Sequence, residues 1–324
     1  MRLIGGELES KNIKDNVYFT DSGRSSLRLF IRSGYQSKKF LIPNYFCEVI
    51  ENILIEEKIA YEFYNINENL RIDTKSLENQ DFDVLYIINY FGQIQELNSL
   101  KLDDKTIIED NVFFKDFKNN GNYVKWYGFN SFRKISSLSD GSLVKTNLKI
   151  EETLIINEEA SFSKEKKIAQ DIKYDFVYKG KGSEKQYLEK FIRAENLLNN
   201  QKLIYKISNQ SLYRLSTNKI DCDQTIMNQR FVIMNRLFSE SILNNKSEFY
   251  SFVLLKVMNR DIIKSELIKK NIFLPIHWPK SSQDNNLYDQ VISIPLFSNY
   301  TDEEFSFMIE ELKKSFYDIK DIGV

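Results

Sequence analysis

The chain of 324 residues is poor in the residues that most often carry metal or nucleophilic chemistry: one histidine and two cysteines, with four prolines and eleven glycines. A single histidine, His277, excludes a His-rich metal site and leaves any Ser-His-Asp triad dependent on that one residue. Cys47 and Cys222 lie far apart in sequence and read as free thiols, so a cytoplasmic placement is expected. No apolar run approaches the roughly eighteen residues that a membrane-crossing helix needs. The stretch from Met1 to Glu7 has too short an apolar segment and too early an acid for a signal peptide. Neither sign of charge is in surplus: 45 basic against 46 acidic side chains leave a net charge of −1. That balance gives no electrostatic footprint for nucleic acid or for an anionic membrane. No internal repeat and no low-complexity tract is present.

What remains is the composition of an ordinary globular protein, long enough for a large domain and a smaller one with its own core. The division is expected at 1–182 and 183–324, the second part opening on a linker helix. Short apolar runs at 39–43, 59–64, 83–92, 105–110 and 141–146 alternate with helical patterns, which predicts βαβ units and a mainly parallel sheet. Residues 1–20 read as an extended lead-in and 147–182 as peripheral helix and loop. The spacing of Tyr187, Leu188, Phe191, Leu197 and Leu198 predicts an amphipathic helix over 183–200. Further on, helices are expected at 223–243 and 261–270, and strands at 251–257 and 272–278, the last closed by Pro279. Thr301 with Glu304 three residues on predicts a capping box at the start of a final helix.

The chemistry concentrates in two stretches. Ile107-Ile108-Glu109-Asp110 is an apolar run ending in acid, which reads as a buried strand delivering a carboxylate at its C-terminal edge, where open α/β sheets build their sites. In residues 129–141, Lys134 sits among small hydroxyl residues just before the Asp140-Gly141 turn. A lysine that can form a Schiff base and an Asp that supports a ring nitrogen are the pair used by enzymes that depend on pyridoxal phosphate (PLP). Ser22-Gly23-Arg24-Ser25 opens a helical pattern, and free amides at a helix N-terminus suit an anion; an ordinary Ser N-cap is the plainer alternative. A surface lysine and a capping Asp are the plain alternatives for Lys134 and Asp110. Cys47 reads as a small buried filler and Arg230 as structural.

Several segments, taken in order, resemble the DegT/DnrJ/EryC1/StrS family of sugar aminotransferases, which are fold-type-I PLP enzymes. Ser22-Gly23-Arg24-Ser25-Ser26-Leu27 resembles its phosphate loop. Pro43-Asn44-Tyr45-Phe46-Cys47 resembles the aromatic segment over the cofactor. Asn89-Tyr90-Phe91-Gly92-Gln93 is similar to its VHxYGQ segment, with Asn in place of His, and Ile107 to Asp110 to its IIED strand. Lys134 with Asp140-Gly141 matches the spacing of its lysine and acid-glycine pair. Ile294-Pro295-Leu296-Phe297, followed by Thr301 to Glu304, is similar to its LPLYxxLTxEE segment.

The resemblance implies an α/β fold of the aspartate aminotransferase type, a PLP cofactor and a homodimer. It implies transfer of an amino group from an amino acid, L-glutamate by expectation, to a nucleotide-linked keto-sugar. Lys134 would hold the cofactor and shuttle the proton. Asp110 would keep the ring nitrogen protonated. Gly23, Arg24, Ser25 and Ser131 would bind the phosphate, Tyr45 or Phe46 would stack on the ring, Asn89 would lie beside the cofactor, and His277 falls near the substrate.

Departures accompany the match. Phe113 stands where Gln or His is usual, Ser142 replaces a glycine, and the hydroxyl of Ser131 precedes the lysine by three residues instead of about five. The segment that a neighbouring subunit contributes has no counterpart. These departures leave room for another PLP reaction on the same fold, such as dehydration or amination of a different acceptor, and for a non-catalytic relative.

Overall fold

The computed structural model describes residues 16–97, 100–220, 222–279 and 281–320, so the expectation for residues 1–15 lies outside the described residues. The first half of the chain runs β1 (Asn16–Thr20), α1 (Gly23–Arg32), β2 (Phe40–Pro43), α2 (Glu48–Glu56), β3 (Tyr61–Tyr64), β4 (Val84–Ile88), β5 (Thr106–Asp110), β6 (Lys125–Phe129), the one-turn α3 (Phe132–Ile135) and β7 (Ser142–Thr146). Then come β8 (Ile155–Glu159), α4 (Ser161–Lys179), α5 (Glu184–Asn200), β9 (Ile204–Lys206), α6 (Asn209–Ser216) and α7 (Gln224–Phe238). The last part is β10 (Phe252–Lys256), α8 (Arg260–Ile268), the short α9 (Leu287–Gln290), β11 (Val291–Pro295) and α10 (Asp302–Lys320).

Among the described residues, nine strands form one sheet in the order β3-β2-β4-β5-β6-β7-β1-β9-β8. The stretch from β3 to β6 is parallel, while β7 runs against both β6 and β1. A second sheet pairs β10 with β11, antiparallel, from Phe252 opposite Pro295 to Lys256 opposite Val291. The central strands β4 and β5 are buried on both faces, as continuous apolar runs in a covered parallel sheet must be.

Alternation along β5 separates its two acids. Tyr86 lies opposite Ile108 and Ile88 opposite Asp110 in the parallel register, so Tyr86 and Asp110 share a face. Glu109 points to the other face, where it accepts a 2.6 Å hydrogen bond from the indole Nε1 of Trp126. The strand thus sends one carboxylate to the mouth of the sheet and ties the other into its back.

Three stretches differ from expectation. The lead-in supplies β1, which pairs with β7 over its whole length and meets β9 at Thr20. Segment 147–182 holds the expected helix, 19 residues long, and in addition a strand, β8, that joins the large sheet beside β9. The strand expected at 272–278 does not form. The segment joins neither sheet: β10 has β11 on one edge and a bridge from Ile242 to Leu255 on the other, and Ile272, Leu274 and Trp278 bury their side chains without ladder pairing. The capping boxes fold as the sequence implies. Thr301 Oγ1 accepts from the Glu304 amide at 3.1 Å while the Glu304 carboxylate accepts from the Thr301 amide at 2.8 Å, and Ser183 with Gln186 does the same for α5.

The asparagine-aromatic-glycine segment after β4 turns sharply. Phe91 takes a left-handed conformation (φ 50°, ψ 43°) and Gly92 follows at φ +88°. A Cβ on Gly92 would stand 2.1 Å from the Phe249 carbonyl oxygen, so glycine is required there for space as well as for dihedral angle. Gly180, at φ +63°, has open space around it. Gly92→Ala is therefore expected to destabilise the protein by more than about 2 kcal/mol, and Gly180→Ala by only about 1 kcal/mol. Urea denaturation of the two variants measures both; equal losses would refute the steric account.

Candidate active site

A cavity of about 240 Å³ opens where the C-terminal ends of β5 and β6 meet the N-termini of α1 and α3. Its wall includes Ser22, Gly23, Arg24, Cys47, Tyr86, Asp110, Phe113, Ser131, Arg133, Lys134, Glu195 and Trp278. This is the edge at which open parallel sheets place ligands, since helix N-termini and strand ends bring unpaired polar groups together there.

Asp110 stands at the end of β5, fully enclosed. It accepts from the Tyr86 hydroxyl at 2.6 Å and from the Val112 amide at 3.1 Å. Burial raises its carboxyl to about 6 against the lowering effect of Tyr86, of the Val112 amide and of Lys134. A buried carboxylate in that state favours a cationic N–H partner, which no side chain among the described residues supplies by direct contact.

Lys134 lies one turn into α3, its amide bonded to the Ser131 carbonyl at 2.9 Å. Its amine makes no hydrogen bond and no ion pair among the described residues. Burial lowers its pKa, opposed by Cys47 and reinforced by Arg133. A lysine amine that is easily neutral can act as a nucleophile and carry a proton.

Positive charge gathers around it. Arg24, on the first turn of α1, has a buried Nη1 with no hydrogen-bond partner, and so does Arg133, immediately before the lysine. The Arg133 side chain is only 10% exposed; its Nη2 donates to Glu195 at 3.1 Å and its guanidinium lies over the Phe162 ring at 5.5 Å. Buried guanidinium nitrogens without partners are costly, so two of them in one cavity mark the place of an anion. The Ser131 hydroxyl, at the N-cap of α3, faces the same space and is not used as a cap.

The other residues singled out in the sequence are placed elsewhere. Ser25 has its amide taken by the Ser22 hydroxyl (3.2 Å), and its own hydroxyl meets Ser22 and Gln201, so it is engaged in the helix cap and not in the cavity wall. Tyr45 packs against Tyr90, Trp278 and Tyr288, and Phe46 stacks on Phe63; both are core residues, because the chain turns at Cys47 and presents the thiol to the cavity. Asn89 bonds Asn111 at 2.7 Å and the Gln95 amide at 2.9 Å, which fixes the turn after β4 behind the wall. His277 is sealed among Phe91, Phe113 and Phe252, with Nδ1 3.0 Å from the Ser293 hydroxyl, and burial holds it neutral. Its neighbour Trp278 reaches the cavity instead.

The departures have local reasons. Phe113 stacks on Phe91 with ring centroids 4.0 Å apart, so an aromatic cluster fills the place of a polar side chain. Ser142 joins a buried chain of hydroxyls, 2.7 Å from Ser26, which is 2.8 Å from Thr20.

Sequence reasoning missed Tyr86, Arg133, Glu195 and Lys166. Tyr86 was within reach of the alternation argument, and Arg133 stood beside the lysine. Glu195 comes from α5 and Lys166, near it and Arg133 behind the wall, from α4; the folding of these helices back onto the cavity carries no local signal.

Among solved structures the chain is similar to a protein of Streptococcus pneumoniae described as a sugar aminotransferase, in its PMP form. Identity is 14% and the TM-score 0.60, covering 94% of this chain and 88% of that one. It is similar to PseC of Helicobacter pylori, an aminotransferase involved in the biosynthesis of pseudoaminic acid, at 13% identity and a TM-score of 0.59, over 93% and 87% of the two chains. The histidinol-phosphate aminotransferase of Clostridium acetobutylicum shares 14% identity at a TM-score of 0.55, over 94% and 85%. The fold is therefore that of the fold-type-I PLP-dependent transferases. No family profile and no curated protein sequence matches the chain.

Burial gives the stability of the protein a defined pH dependence. Glu109 and Asp21 are both raised to about 7 by burial, so each is protonated in the folded chain at pH values where the unfolded chain has released the proton. The folded state binds more protons between about pH 4 and 7, and these groups weaken stability as pH rises through that window. His277, buried neutral, works in the opposite sense up to about pH 6.5, so the readable quantity is a difference between proteins. Glu109→Gln keeps an acceptor for Trp126 and is expected to gain on wild type by on the order of 1–3 kcal/mol between pH 5 and 8. Thermal melts across that range test it; a constant difference would mean that Glu109 is ionised throughout.

Proposed function

We propose that this chain is a PLP-dependent aminotransferase that moves an amino group from an amino acid to a nucleotide-linked keto-sugar. One observation carries the reading: a half-buried lysine whose amine has no partner among the described residues shares its cavity with a buried, tyrosine-held carboxylate and with two orphaned guanidinium nitrogens. An amine nucleophile, a partner for a ring N–H and an anion cradle are the three things that pyridoxal phosphate asks of a protein, so the residues present fit that cofactor. The likeness to sugar aminotransferases in fold supports the same reading.

In this reading Gly23, Arg24 and Ser131 hold the phosphate, Asp110 faces the ring nitrogen, and Lys134 is the point of attachment. Trp278 and Cys47, in place of Tyr45 or Phe46, bound the ring's space. Pyridoxal phosphate bound there supplies an electron-withdrawing ring that stabilises negative charge on the carbon bearing the amine. The chain does the rest. Asp110, kept in place by Tyr86 and the Val112 amide, retains its negative charge once a cation faces it, and so keeps that cation's proton in place. Lys134, with its amine lowered by burial, takes a proton at Nζ and returns it at another position. Phe113 and Trp278 exclude water from one side of the cavity.

The reading assigns residues 1–182 to the cofactor-bearing domain and 183–324 to the part that closes over it; Glu195 and Leu198 of α5 already stand in the cavity wall. It includes a homodimer, and a second copy would cover the apolar side chains that α4 and α5 leave exposed, among them Val177, Leu188 and Ile192. A second reading, another PLP reaction on the same fold, is favoured by one feature: the Phe113–Phe91 stack removes a polar contact from the cofactor's surroundings.

Three experiments test the proposal. Adding PLP to the purified protein is expected to give an absorbance band near the visible edge that is absent in Lys134→Ala; no band in either protein would refute cofactor attachment. Tyr86→Phe leaves Asp110 without its shortest hydrogen bond, and is expected to weaken PLP affinity by about tenfold with the band retained. Adding L-glutamate to the loaded protein is then expected to bleach the band, and turnover with a panel of nucleotide keto-sugars separates transamination from the second reading.

A further inference from the structure

Two guanidinium groups in the cavity wall, those of Arg24 and Arg133, each leave one nitrogen without a partner, and the carboxylate that answers them stands at the rim. Glu195, on α5, is 46% exposed as a side chain and makes one hydrogen bond, to Arg133. Its carboxylate is held low although burial would raise it, by Arg133 first and then by Lys166, Arg24 and Lys134. The cations cannot follow solvent in the same way. Arg133 is 10% exposed and wedged over Phe162, and its Nη1, like that of Arg24, has no partner. Lys166, on α4, makes no hydrogen bond among the described residues and stands near the same cluster, where burial and then Arg133 push its amine well below the ordinary lysine range. An ion pair with one half-exposed partner and a single hydrogen bond is weak and readily exchanged.

We propose that Glu195 is an internal counter-ion that occupies the anion position of the cavity until a phosphate group displaces it, Arg133 then turning its freed Nη2 to a phosphate oxygen. The inference rests on the cofactor reading above and deepens it, since it names how the site accepts the phosphate. A phosphate suits this position better than a carboxylate. Arg24 Nη1, Arg133 Nη1 and the freed Arg133 Nη2 offer three donors to three terminal oxygens, and the second negative charge favours the protonated Lys166 amine that burial otherwise disfavours. Once displaced, Glu195 swings to solvent, which its exposure permits without unfolding α5.

Inorganic phosphate is the direct probe, titrated calorimetrically into the cofactor-free, full-length protein. Glu195→Gln, a near-isosteric change at a half-exposed helical position, is expected to bind phosphate about tenfold more tightly than wild type. In an Arg133→Met background the same change is expected to give no gain, because the exchange takes place on Arg133; circular dichroism and a thermal melt verify that each variant is folded. An equal gain in both backgrounds would mean simple charge repulsion and would overturn the exchange. So would unchanged binding in Glu195→Gln, or no phosphate binding by any of the proteins. PLP and pyridoxal, compared by absorbance, form a separate arm: the gain is expected for the phosphate ester and not for pyridoxal. If no absorbance band forms with either aldehyde, the cofactor reading fails while the phosphate titration still decides the role of Glu195.

Discussion

A lysine amine held out of water, next to guanidinium groups that share its sign, is an expensive arrangement, and the site is built around tolerating it. Burial and Arg133 both push Lys134 toward its neutral form. No side chain among the described residues offers the amine a hydrogen bond, and the carboxylate across the cavity bonds Tyr86 and the Val112 amide instead. A structural lysine is ordinarily paired or at the surface. The proposed cofactor gives the amine the partner that the protein withholds.

The sheet makes that arrangement possible by delivering each group on a stiff element. Asp110 comes from the last residue of a strand buried on both sides, and the next strand over supplies the tyrosine that holds it. Residues 131–134 follow β6 directly, so the lysine sits within one turn of the sheet edge. Behind α3, Asp140 anchors the return to β7. It accepts from the amide and hydroxyl of Ser208, both at 2.8 Å, and from the Ser211 hydroxyl, and so ties the start of α6 to the turn that carries the site. Each functional group is thus fixed by backbone whose own hydrogen bonds are already made.

The sequence made the elements legible where the physics is local. Short apolar strands, the paired capping residues at Thr301 and Glu304, and the acid at the end of β5 all depend on neighbours a few residues away. The strand expected at 272–278 shows the limit. Its apolar pattern is real and side chains such as Ile272, Leu274 and Trp278 are buried, but a strand needs a partner, and both edges of β10 are met, one by β11 and the other by the bridge from Ile242. Tyr45 and Phe46 show a finer limit. An aromatic at a strand-to-helix junction can face either way, and a rotation of one residue about the turn gave the cavity to Cys47 and both rings to the core.

The part of the site least visible in the sequence is its roof. Segment 147–182 is polar and weakly periodic, because α4 and α5 bury little of their own surface and pack chiefly on each other, around Ala160, Phe162 and Leu198. A helix pair so lightly tied to the main core needs few apolar positions, so periodicity has little to report. Its charges then take over the positioning. Arg133 meets Glu195, Gln201 donates to Asp21 at 2.6 Å, and Lys190 pairs with Glu165 at 2.8 Å within the hairpin. Polar latches are cheap to open and re-form, whereas an apolar seam of the same area would hold the roof shut. Over a cavity of about 240 Å³, the roof that carries Glu195 and Leu198 is therefore placed by charges more than by burial.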